Sequence, residues 1–107
     1  MEDEIKLRSE AEKLYRFGNY SGAVAVFQRI LELEPGSASI HNFIGDAQVK
    51  LKTYDQASAS YLAAVEGYRK DKLFNNAIAA CKKILRFRPD DPGIKKIIDD
   101  LKTAQEI

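Results

Sequence analysis

The sequence predicts an all-α fold, and three observations carry that prediction. Apolar residues recur at three- and four-residue steps along almost all of the 107 residues, as one face of an amphipathic helix requires. No alternating apolar and polar run is long enough for a strand. The three prolines and six glycines fall mostly where an apolar period ends.

The first helix is expected from about Asp3 to Phe17, with Leu7, Ala11 and Leu14 on one face, and Gly18-Asn19 supplies a left-handed stop. A second runs from about Tyr20 to Glu34, striped by Ala23, Phe27, Ile30 and Leu31, until Pro35-Gly36 ends it. Ser37 or Ser39 is placed to cap a third, about Ala38 to Leu51, whose face is Ile40, Phe43, Ile44, Ala47 and Leu51. After a short Lys52-Thr53 turn, the fourth and longest helix spans about Tyr54 to Asp71, with Ala57, Tyr61, Ala64, Val65 and Tyr68 on its stripe. The fifth, about Phe74 to Phe87, presents Ala77, Ala80, Cys81, Ile84 and Leu85 before Pro89. The sixth starts at Asp90-Asp91-Pro92, with Asp91 as cap, Pro92 at the first helical position and Ile94, Ile97, Ile98 and Leu101 on one face.

Composition narrows the function classes. A chain of this length that is 45% hydrophobic and 31% charged fits one soluble globular domain. No stretch approaches the roughly 18 to 20 apolar residues of a membrane span, and Met1-Glu2-Asp3-Glu4 is the opposite of a basic signal-peptide start. A cytoplasmic location is the expectation. One cysteine, Cys81, excludes an internal disulfide, and one histidine, His41, leaves no zinc or haem spacing, so no metal or cofactor is expected. Residues 1–34 carry five basic and seven acidic groups and residues 72–107 eight and five, so the two ends differ in sign.

Internal repetition changes the meaning of these helices. Tyr20, Ala23 and Phe27 recur 34 residues later as Tyr54, Ala57 and Tyr61, and the segment 23–35 recurs as 77–89, from Ala23 and Pro35 to Ala77 and Pro89. A small residue followed four later by an aromatic, a closing proline and the Ile44-Gly45 pair resemble the tetratricopeptide repeat family over roughly residues 4 to 89. Small residues let antiparallel helices approach, the aromatic fills the gap beside them, and proline ends the second helix of a unit.

The resemblance implies helix-turn-helix repeats forming a short right-handed solenoid of about six helices. Repeat one is expected at about 4–37 and repeat two at about 38–71. Arg69 stands where the second unit would close on proline, and the Phe74, Ala77, Cys81 pattern follows Tyr54, Ala57, Tyr61 by only 20 residues. That is too soon for two new helices, so a third repeat at about 58–91 is expected to share the fourth helix, with a capping helix at about 92–105.

The family's first helices line a concave groove that takes a peptide or helix from a partner. Carried over, the groove presents Arg8, Glu12, Tyr15 and Arg16 from the first helix, and Asn42, Phe43, Asp46, Val49 and Lys50 from the third. Some members grip a terminal carboxylate with Lys, Asn and Arg. Here Glu12 stands where an asparagine is wanted, and Ala59, Leu62 and Ala63 supply no cation, so that clamp is not expected. Self-association through apolar repeat ends, Ile94 and Ile98 among them, is the alternative. A nucleic-acid adaptor using Lys82, Lys83, Arg86 and Arg88 is weaker, because basic residues late in a helix match its dipole. His41 and Cys81 occupy slots for packed side chains, and no nucleophile and base stand together, so no catalysis is expected.

Overall fold

The computed structural model describes residues 4–107, so Asp3, where the sequence starts the first helix, lies outside them. Six helices follow one another: α1 Glu4–Arg16, α2 Tyr20–Leu33, α3 Ala38–Lys50, α4 Tyr54–Lys70, α5 Phe74–Leu85 and α6 Pro92–Glu106. Each packs on the next in sequence, giving an elongated row of 41 × 28 × 18 Å, and no strand occurs among the described residues.

Three of the turns share one design. Gly18, Lys52 and Lys72 all have positive φ, at 82°, 61° and 59°. In each, the next amide reaches back five residues to a carbonyl that the helix end leaves open: Asn19 N–H to Leu14 (2.9 Å), Thr53 N–H to Gln48 (3.0 Å) and Leu73 N–H to Tyr68 (2.8 Å). The Gly18 stop is the one the sequence predicts; the other two place a lysine in the left-handed region.

Two local expectations are corrected. Ser37 does precede α3, but its hydroxyl makes no capping bond and lies 3.4 Å from the Ser39 hydroxyl instead. The fifth helix ends at Leu85 rather than Phe87. Pro89 disfavours helical backbone at Arg88, and the Phe87 ring packs on Tyr54, with centroids 5.1 Å apart. Asp91 caps α6 as expected, its carboxylate accepting from Gly93 N–H at 2.9 Å and Ile94 N–H at 3.2 Å.

The apolar stripes form two clusters. One joins α1, α2 and the first half of α3 around Phe27, Ile30 and Ile40; the other joins α4, α5 and α6 around Tyr61, Cys81, Ile84 and Leu101. Between them α3 and α4 meet through small residues: a Cβ on Gly45 would stand 2.6 Å from the Tyr61 ring. Ile94 and Ile98 belong to the second cluster, 5% and 7% exposed, so they are not the sticky surface that end-to-end self-association needs. They pack inward because α6 lies against α5 and turns Lys95, Lys96, Asp99, Asp100 and Lys102 outward.

Candidate functional site

α3 is flanked on one side by α1 and on the other by α5. The second contact is made by Lys83, whose ammonium donates to Asp46 Oδ1 at 3.0 Å and to Asn42 Oδ1 at 3.3 Å. Tyr61 on α4 donates its hydroxyl to the same Asp46 oxygen at 2.6 Å, and the Lys83 ammonium sits 5.6 Å from the Tyr61 ring centroid. Burial, followed by donation to Asp46, pushes the Tyr61 phenol far above its ordinary value. Asp46 thus ties three helices together in the middle of the face that α1, α3 and α5 share.

Three adjoining depressions cover that face. The first, about 300 Å³, lies between α1 and α3 and is lined by Glu12, Tyr15, Arg16, Phe27, Phe43 and Asp46. The second, about 370 Å³, continues from it past Tyr15 and Asp46 to Val49, Lys50, Tyr54, Tyr61, Lys83, Arg86 and Phe87. The third, about 290 Å³, lies beyond Lys83 among Asn42, Tyr68, Asn75, Asn76, Ala79 and Ala80. The depressions adjoin in a row: Tyr15 and Asp46 line both of the first pair, and Lys83 lines both of the second.

Of the nine residues that sequence reasoning placed in a groove, Glu12, Tyr15, Arg16, Asn42, Phe43, Asp46, Val49 and Lys50 line one or more of these depressions. Arg8 does not; its guanidinium pairs with Glu4 at 3.3 Å, one turn away. Sequence reasoning missed the wall made by α5 and the turn after it, with Lys83, Arg86 and Phe87, and also Tyr54. The basic run Lys82, Lys83, Arg86 and Arg88 lies on and just after α5. Two of its members are engaged: Lys83 as above, and Arg88 with Asp55 on α4. His41, expected to pack, is half-buried with its ring Nε2 3.1 Å from the Pro35 carbonyl oxygen. Cys81 is fully buried, and burial pushes its thiol up to about 11.

Comparison with known proteins agrees with this architecture. A family model described as a tetratricopeptide repeat matches residues 9–72. No curated protein matches the chain significantly. Among solved structures, the first tetratricopeptide domain of Spaghetti (RPAP3), bound to an HSP90 peptide of sequence SRMEEVD, is 14% identical with a TM-score of 0.60, over 97% of this chain and 94% of that one. The second such domain of human RPAP3, in complex with an HSP70 peptide, is 14% identical with a TM-score of 0.56, over 92% and 93%. The Yersinia enterocolitica type III secretion chaperone SycD, in complex with a peptide of the translocator YopD, is 20% identical with a TM-score of 0.53, over 94% and 88%. At these identities the likeness concerns the fold. The match over residues 9–72 covers more than half of the sequence, and the chain belongs to the tetratricopeptide repeat family.

Proposed function

We propose that this chain is a protein-interaction module that holds a peptide or helix of a partner protein in the groove bounded by α1, α3 and α5, and that it carries no catalysis. The observation that supports this reading is adjacency: three depressions in a row along one face share Tyr15, Asp46 and Lys83 as lining residues. The similar domains of RPAP3 and the SycD chaperone hold partner peptides, which is the behaviour proposed here. The groove's contacts are proposed to come from Glu12, Tyr15, Arg16, Asn42, Phe43, Asp46, Val49 and Lys50 together with α5. Nucleic acid is not the proposed partner, because Lys83 and Arg88 are already held by acids. No helix of the described residues is long and apolar enough to cross a membrane, and a cytoplasmic setting is proposed.

The division into units is also a proposal: repeats at about 4–37, 38–71 and 58–91 with α4 shared, and α6 as a cap. The α4–α5 turn supports it, since that turn repeats the bonding of the α1–α2 and α3–α4 turns. In this reading α5 closes a unit on α4 and at the same time walls the groove beside α3.

The test is selection from a displayed random peptide library followed by amide chemical-shift mapping with the selected peptides. Shifts are expected to concentrate at Tyr15, Asp46, Val49 and Lys83. Peptides that instead map to the outer faces of α2 or α6 would overturn the groove.

A further inference from the structure

The charges in the groove are not evenly compensated. Asp46 already accepts from both Tyr61 and Lys83. Asp55, beside Tyr54, is held by Arg88. That leaves Lys50 and Arg86 at the mouth of the central depression, and among the described residues neither forms an ion pair. Between them lie Tyr15, Tyr54, Tyr61 and Phe87, with Tyr54 and Phe87 packed 5.1 Å apart and Phe87 6.5 Å from Tyr61. At the other end of the groove the charges are mixed, Glu12 facing the same depression as Arg16.

Resting on the peptide-groove reading above, we infer that the central depression of the groove selects an acidic stretch of a partner that carries a large apolar or aromatic side chain. The ring or alkyl group enters the aromatic-walled depression. The flanking carboxylates pair with Lys50 and Arg86, whose charges no acid of the fold neutralises. Recognition is by side chains within the stretch: Lys50 and Arg86 are exposed beside the half-buried Asp46–Lys83 pair, so both are accessible to carboxylates of a bound segment. A basic partner meets the same two cations and is repelled.

The probes are four short glycine-serine peptides blocked at both ends, carrying Glu-Phe-Glu, Gln-Phe-Gln, Lys-Phe-Lys or Glu-Ala-Glu at the centre, each titrated against the full chain by NMR. Glu-Phe-Glu is expected to bind about tenfold more tightly than Lys-Phe-Lys, the sum of two partly exposed charge pairs gained against two repulsions, and to weaken as salt rises. Glu-Ala-Glu should lose most of the binding, because the depression is left empty. The Lys50→Glu/Arg86→Glu variant, with its fold checked by circular dichroism, should reverse the order of the acidic and basic probes. If all four shift the amides of Tyr15, Asp46 and Lys83 with equal affinity, the groove stands and the charge selection is wrong. If none shifts those amides, both readings fail.

Discussion

At Gly45 a single hydrogen atom decides how closely two helices approach. An added Cβ would lie 2.6 and 2.7 Å from two carbons of the Tyr61 ring, and that ring cannot swing away without losing its 2.6 Å hydrogen bond to Asp46. Gly45→Ala is therefore expected to cost about 1–3 kcal/mol as an overpacked core, read from the urea midpoint. Lys50→Ala, one turn further on and exposed, should stay within about ±0.5 kcal/mol while still weakening a bound acidic peptide. Equal losses in the two variants would mean that the groove face and the packing face have been exchanged.

Cys81 gives a second prediction at the same scale. Its thiol is buried and raised to about 11 from an ordinary 9.0, so the folded chain keeps a proton that the unfolded chain releases earlier. Stability from this group is complete below pH 9 and is lost as pH climbs from 9 toward 11, and the raised Tyr61 phenol extends the decline in the same direction. Urea midpoints measured across that range should fall, and Cys81→Ala should flatten the first part of the slope. A thiol reagent at neutral pH should label Cys81 only as fast as the chain opens. Rapid labelling of folded protein would contradict the burial.

Among the helices, the three related turns carry the information. Gly18 takes its left-handed conformation freely, whereas Lys52 and Lys72 hold similar φ values with a side chain attached. The left-handed cost for a non-glycine residue, roughly 1–2 kcal/mol, exceeds the roughly 0.5–1 kcal/mol of extra chain entropy that glycine forfeits on folding. Lys72→Gly should accordingly stabilise the domain by up to about 1 kcal/mol, seen as a higher melting temperature. A lower melting temperature would show that the Lys72 side chain contributes contacts that outweigh the backbone strain.

For the molecule as a whole, the surface of α6 bears on association. α6 buries Ile94, Ile98 and Leu101 and shows solvent a face of lysines and aspartates, which disfavours stacking on that face. Light scattering coupled to size-exclusion chromatography should give a mass near 12.0 kDa that does not change with concentration. A mass that rises with concentration would direct attention to the opposite end, where Ile5 and Phe17 are each 77% exposed on or beside α1.

Much of this was decided by local chemistry and is therefore readable from the chain. Six apolar stripes, the Gly18 stop, the Asp91–Pro92 start and the 34-residue recurrence specify six helices and their order, because periodicity and capping act between residues a few positions apart. The family resemblance, not the periodicity, put Tyr15, Phe43, Asp46 and Val49 on helices expected to line a groove, and these residues line the adjoining depressions. What only the tertiary structure decided is which helices stand side by side. Lys83 and Asn42 are separated by 41 residues, and no local pattern announces that α5 lies against α3 or that Asp46 is taken by Tyr61 and Lys83. By sequence Ile94 and Ile98 suit a core or, in the alternative reading, a neighbour, and the packing of α6 turns them inward. A charge or an apolar face has the same spelling whether it meets solvent, another helix or a partner, and only its neighbours in space settle which.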